Sequence, residues 1–342
     1  MILFWLVVNE KELTLTVFIK FIFLLSIIFL ACACVSYKPG KPQDLLDGSQ
    51  TGDIYFVSTN DYDFNRGEPP TPIIVEGNLK VPIDHNGGAI ILSHGSGGLG
   101  SYSNPWEFFF LSYGFATFTL DHFGPRNVDS TVHGQVRVTQ QQMASDIIHA
   151  GNLLASDPRI KAGKIFHIGW SKGASAGLAA AAESSANESQ KNNPLIAGYI
   201  AFYPYCGYTG DVSTHAKVLL LHGSEDNWTP LAPCERLVSE MQAIGSNVTL
   251  KVFEGAHHGF DNWNSDTIGH SNGITIRDTS DKCTIVFSRQ SHSISADGKY
   301  SVGDYQSRVA FLKACGVRGV NYGGSPRYRK EVEQAVIDFV EE

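Results

Sequence analysis

No metal-binding signature occurs in this sequence. H-E-x-x-H and C-x-x-C are both missing, and His257-His258 is an adjacent pair without ligand spacing. No G-x-x-x-x-G-K-[ST] string is present to cradle a nucleotide phosphate. A basic excess is lacking too: the formal charge is −8 and the pI about 5.8 over 342 residues, which argues against a nucleic-acid partner. The short cluster Arg327 to Lys330 reads as the solvated start of a helix. After residue 52 there is no repeat, low-complexity tract or linker, so one domain is expected from 53 to 342. What remains is a chain of ordinary apolar content, 43%, sufficient for a sizeable core.

The longest apolar block, Phe21 to Ala33, is preceded by Lys20 and ends in Ala31-Cys32-Ala33. Its length suits a signal core and is short for a membrane span. Ala-x-Ala permits cleavage after Ala33, Cys32 offers a lipidation site, and an uncleaved anchor is the third alternative. The acidic Glu10 and Glu12 suit an n-region poorly. Residues 1–33 are therefore expected to be a signal peptide or membrane anchor, and 34–52, with Pro39, Pro42 and Gly48, a polar tether. The protein is expected to be exported, to the periplasm or beyond, with membrane attachment through the leader left open.

The domain from residue 53 onward holds four cysteines, Cys206, Cys234, Cys283 and Cys315, an even count compatible with two disulfides. Cys206 follows the apolar strand 196–203 and Cys234 follows the strand 218–222. If those strands are neighbours, Cys206 and Cys234 can pair, which leaves Cys283 for Cys315. Four free buried thiols are the alternative.

Along the chain, 53–58 and 73–81 read as a leading antiparallel pair of strands. Short apolar strands at 89–92, 115–120, 164–168, 196–203, 218–222 and 248–253 then alternate with helices. Gln140 to Ala155, the small-residue run from Ala174 to Ala182, and Leu231 to Ala243 are the helices. Ser325-Pro326 reads as the N-cap and first position of a last helix burying Tyr328, Val332, Val336, Phe339 and Val340. Such alternation predicts an α/β fold, a mostly parallel sheet with helices on both faces. Functional residues then collect beyond the carboxyl ends of the strands. Residues 261–310, rich in Ser, Asp, Gly and Asn, read as an irregular insertion: a cover over the site's mouth or a peripheral decoration.

Gly169-Trp-Ser-Lys-Gly173 lies where a strand meets a helix. The tight turn strains its apex and projects that side chain from the sheet edge, while glycines two positions either side remove colliding Cβ atoms. Ser171 is the expected nucleophile, and the helix N-terminus supplies N–H groups for an oxyanion. A hydroxyl needs a base, and the base an orienter. The next strand ends carry Asp226 and His258, in the order Ser, Asp, His. Glu225 and His257 are their rivals. The shorter carboxylate favours Asp226, and the freedom given by Gly259 favours His258. The oxyanion hole is expected from the N–H of Lys172 and one from His94-Gly-Ser-Gly-Gly98, at Ser96 or else Gly97. His94 and His222 read as structural. Arg126 either binds a substrate carboxylate or braces its loop by an ion pair. Trp106, Phe108, Phe123, Trp228 and Phe260 are the aromatic candidates for a pocket.

Taken together, His94-Gly-Ser-Gly-Gly98, Asp121-His-Phe-Gly-Pro-Arg126, the Ser171 turn, Asp226-Asn-Trp-Thr-Pro230 and His258-Gly-Phe-Asp261 resemble the dienelactone hydrolase family of α/β-hydrolases. The resemblance runs from about residue 53 to the end. It implies an α/β-hydrolase fold, a triad of Ser171, Asp226 and His258, and no cofactor. The namesake enzymes are cytosolic and use a cysteine where this chain has Ser171, which points to a general ester, lactone or thioester hydrolase. The expected function is cleavage of a small or medium carboxylic ester through an acyl-enzyme. A peptidase of the same fold, or a non-catalytic envelope binding protein on a hydrolase scaffold, is the alternative.

Overall fold

A computed structural model describes residues 37–59, 71–100, 103–185, 194–288 and 293–342. The expected leader lies outside the described residues. Pro39–Glu342 form one compact unit. No helix among the described residues is long and apolar enough to cross a membrane.

Eight strands make one sheet: β1 (Gly52–Thr59), β2 (Pro72–Lys80), β3 (Ala89–Ser93), β4 (Ala116–Asp121), β5 (Ile165–Trp170), β6 (Gly198–Phe202), β8 (Lys217–Gly223) and β9 (Val248–Phe253). Their order is β1-β2-β4-β3-β5-β6-β8-β9. The leading pair is antiparallel, as is β2 against β4. From β4 to β9 every pairing is parallel.

Alternate residues of the central strands enter different cores, the period-two consequence of the pleat. Ile91 and Ala89 pack in one cluster, Ile90 and Leu92 in the other. Over the first face lie α2 (Gln140–Ala155), α3 (Lys172–Ser184) and α4 (Leu231–Ala243). Over the second lie α1 (Ser103–Ser112) and α6 (Arg329–Glu341). A sheet covered on both faces needs strands that are apolar throughout, and β3 and β5 are wholly buried. Helix α2 starts at a capping box: Gln142 N–H donates to Thr139 Oγ1, and Thr139 N–H to Gln142 Oε1. The last helix departs from expectation. Pro326–Tyr328 form a separate 3₁₀ turn, and the Ser325 side chain caps nothing, so the α-helix opens at Arg329.

Residues 261–310 are more regular than their composition indicates. Strand β10 (Ile268–Ile276) pairs antiparallel with β13 (Gly316–Gly323). Strand β11 (Ile285–Phe287) pairs with β12 (Ile294–Ser295) and, in parallel, with β7 (Tyr208–Gly210). Helix α5 (Tyr305–Cys315) is capped by the Asp304 carboxylate, which accepts from Ser307 N–H. A small third core of Cys283, Ile285, Phe311 and Cys315 joins these pieces.

Cys206 bonds Cys234, and Cys283 bonds Cys315. The first link follows from the sheet, because β6 and β8 are neighbours. The second ties the β11 segment to the end of α5. Two such bonds fit an oxidising compartment.

Candidate active site

The turn between β5 and α3 is forced by close backbone approach. A Cβ on Gly169 would meet the backbone of Gly173, and one on Gly173 would run into the carbonyls of Ser93 and His94. Between these glycines Ser171 is held at φ 53°, a left-handed value a serine rarely adopts. The strain lifts its side chain above the sheet and places Lys172 at the first position of α3.

Loops after β8 and β9 meet this serine. His258 Nε2 lies 3.0 Å from Ser171 Oγ, and His258 Nδ1 lies 2.8 Å from Asp226 Oδ2. The other carboxylate oxygen accepts the N–H groups of Trp228 and Thr229, each at 2.8 Å. Thr229 Oγ1 is 3.0 Å from both Asp226 Oδ2 and Tyr203 O, and 3.1 Å from His258 Nδ1. Burial, the largest influence on Asp226, would raise its pKa. The His258 charge and hydrogen bond and the Thr229 N–H together outweigh it, and the carboxyl stays below its usual range. With Asp226 ionised, Nδ1 of His258 carries the proton and Nε2 faces the serine as acceptor. The rivals lie elsewhere. Glu225 is exposed, and the half-buried His257 turns its Nδ1 to the Glu225 carbonyl at 3.0 Å.

The small-residue loop after β3 lies against the turn: a Cβ on Gly95 would sit 3.3 Å from the Ser171 Cβ. Ser96 exchanges hydrogen bonds with the Gln135 side chain, and Lys172 Nζ donates to Gln135 O at 2.8 Å and Oε1 at 3.2 Å. Gln135 thus joins the loop that holds Ser96 to the residue after Ser171. Burial, and secondarily the charge of Arg308, lowers the Lys172 amine to about 7.

His94 is structural. The His122 N–H donates to its Nε2 at 3.2 Å, which leaves Nδ1–H to donate to Gly95 O. Burial, then the neighbouring His122, takes its pKa down to about 3, so it stays neutral. His222 is equally buried, with Nδ1 at 3.1 Å from Gly223 O. Arg126 braces rather than reaching for substrate: its guanidinium grips both oxygens of the buried Asp146, at 2.8 and 3.1 Å, and the His122 carbonyl. Asp146 in turn holds His122, whose Nε2 is 2.9 Å from Ser93 Oγ. That second Ser–His–Asp string is wholly buried and out of substrate's reach.

Of the aromatic candidates only Trp228 lines the cavity beside Ser171, its ring 4.8 Å from that of His258. Trp106, Phe123 and Phe260 are core residues, and Phe108 points to solvent. The composition of 261–310 concealed two contributors to the site. Trp228 Nε1 donates to Ile274 O, and Thr275 Oγ1 to Trp228 O, so β10 forms one wall. Asp261 accepts from Tyr203 Oη and from the indoles of Trp106 and Trp170. Its position three residues after His258 was the one available signal.

Serine turn, strand-end aspartate and strand-end histidine all fall within one stretch that has relatives. Residues 123–282 match the dienelactone hydrolase family. Over that stretch the chain is similar to a family of carboxylic ester hydrolases, and its eight-stranded, mostly parallel sheet, covered by helices on both faces, is an α/β-hydrolase fold. Among solved structures it is similar to a dienelactone hydrolase from Anabaena variabilis, with 20% identity over 61% of this chain and 88% of that one, and a TM-score of 0.44. It is also similar to Est1E from Butyrivibrio proteoclasticus, with 16% identity over 54% and 86% and a TM-score of 0.41. An esterase from Thermogutta terrifontis with propionate bound shows 21% identity over 56% and 82%, at TM-score 0.40. A comparison with curated proteins gives no match.

Proposed function

We propose that this dienelactone hydrolase relative is an exported serine hydrolase that cleaves a small or medium carboxylic ester, lactone or thioester through an acyl-enzyme. The observation that carries the reading is the 3.0 Å approach of Ser171 Oγ to His258 Nε2, with Asp226 behind the imidazole. Ser171 Oγ attacks the ester carbonyl as its proton passes to Nε2. The carbonyl oxygen, now negative, faces the N–H of Lys172 at the start of α3 and that of Ser96. Collapse of the tetrahedral intermediate breaks the bond to the alcohol oxygen, which takes the proton from His258. Water then repeats the sequence on the acyl-serine, and the acid leaves. Asp226 keeps the imidazole in the required tautomer throughout. Two disulfides and the apolar, Ala-x-Ala-terminated leader support export.

A fluorophosphonate probe tests this directly. Label on Ser171 in the folded protein, lost in His258→Ala, is expected. Ester turnover by Ser171→Ala at the wild-type rate would sink the proposal.

A further inference from the structure

A cavity of about 190 Å³ opens at Ser171 and Lys172 and continues along one face of α3. Ser175, Leu178, Ala179 and Ala182 line it, the i, i+3, i+4, i+7 stripe of a helix. From Ser175 to Ala182 that stripe extends about 10 Å away from the nucleophile, at the helical rise of about 1.5 Å per residue. The opposite wall comes from the insertion and the helix at its end: Ile285 and Phe287 on β11, and Phe311 on α5, all buried. Met241 of α4 adds to the apolar lining. For scale, an engineered cavity of about 150 Å³ lined by Leu, Ile and Phe stays dry and binds benzene.

We infer that this cavity is an acyl-chain subsite, and that the physiological ester carries an unbranched aliphatic acyl group of medium length. The inference rests on the serine-hydrolase reading above and adds the substrate class. Direction decides which arm enters. The alcohol oxygen must face His258 Nε2 to receive its proton, whereas the cavity follows the helix that begins at Ser171. The arm that stays on Ser171 therefore extends along α3. The small side chains of Ala179 and Ala182 leave room for a chain laid against the helix. The insertion and α5 supply the apolar wall, and the Cys283–Cys315 bond holds the two together.

Two cations line the cavity, Lys172 and Arg308. The Lys172 amine is engaged by Thr131 Oγ1 and Gln135. Arg308 Nη1 donates to the carbonyls of Val302 and Gly303, bracing the turn before α5. Its Nε is buried and finds no hydrogen-bond partner among the described residues, so an acidic acyl arm is the occupant to test against a neutral one.

The experiment measures kcat/KM on p-nitrophenyl esters from acetate to decanoate. A rise of about threefold per added methylene is expected up to octanoate. In Ala182→Phe the octanoate-to-acetate ratio should fall by about tenfold or more, with the thermal transition checked to show the fold is kept. Phe311→Ala, at the opposite wall, should move the optimum to longer chains. Acetate preferred over octanoate by a wild-type protein that still labels on Ser171 would overturn the subsite and leave the hydrolase reading standing. A p-nitrophenyl half-ester of adipic acid that outperforms the neutral hexanoate would also overturn it, assigning the Arg308 end to a carboxylate. No turnover of any ester, with no labelling, would remove both.

Discussion

The hydroxyl of Tyr203 donates to the carboxylate of Asp261 at 2.6 Å, and the Tyr203 ring lies 4.4 Å from that of His258. The same carboxylate accepts the indole N–H groups of Trp170, directly before Ser171, and Trp106. One buried group thus ties the strand that runs into Ser171, the loop that carries His258 and α1 together. Burial raises its pKa more than these three donors lower it. In Asp261→Leu three buried donors lose their acceptor, at a cost of about 1–3 kcal/mol each at most. We expect a loss of about 3 kcal/mol or more in denaturant unfolding, and kcat reduced by about tenfold to a hundredfold through misplacement. An unchanged midpoint at equal m-value would refute the tie.

His167 sits on β5 under α3, fully buried, and neither ring nitrogen finds a hydrogen-bond partner among the described residues. Burial, then the neighbouring His122, takes its pKa down to about 3 from 6.5. The folded state resists the proton that the unfolded chain accepts, so stability present above pH 6.5 is lost as the pH falls towards 3. His167→Leu should melt higher than wild type at pH 7 and higher still, by difference, at pH 5. Parallel stability curves for the two proteins between those values would contradict this.

How much of this was legible depends on what each residue answers to. The Ser171 turn was readable because its two glycines are dictated by backbone collisions within five residues. The strands of the main sheet were readable because burial on both faces demands unbroken apolar runs. The strands β10 and β13 were not. They form a half-exposed two-stranded ribbon whose residues, such as His270, Asn272 and Arg318, carry no apolar alternation, and the register shifts between Ser271 and Ile274. Asp261 was visible but mute, since its donors lie 58, 91 and 155 residues away in the chain. Arg126 had two readings, and only the position of Asp146 separates them.

The Cys206–Cys234 bond spans 28 residues and fastens the loop after β6, which carries Tyr203, to the first turn of α4. Closing a loop of that length is worth about 3–4 kcal/mol in the chain-entropy account. Replacing both cysteines by alanine should lower unfolding stability by an amount of that order. Reduction of the wild-type protein opens both bonds and should lower stability by more than the double substitution does, while the double variant, left with Cys283–Cys315 alone, should show the smaller response to reductant. Equal responses in the two proteins would place the stabilisation at Cys283–Cys315 instead.

Asp226→Asn separates orientation from mere packing. The amide preserves volume and can still face Thr229, but it removes the charge that keeps the proton on Nδ1 of His258. An Asn side chain can present an N–H to that nitrogen, which turns the imidazole so that Nε2 carries the proton and no longer accepts from Ser171. The corresponding change in a serine-protease triad lowers kcat by about four orders of magnitude, and a loss of that order is expected here on any ester the wild type hydrolyses. The depressed Asp226 pKa adds a stability signature: the wild-type carboxylate contributes stability above the usual carboxylate range and loses it as the pH falls through the folded value. The Asn variant should therefore show a shallower acid limb in thermal unfolding as well as the loss of turnover. A kcat within about tenfold of wild type would mean that Asp226 does not orient the base, and Thr229, at 3.1 Å from the same nitrogen, would become the group to examine.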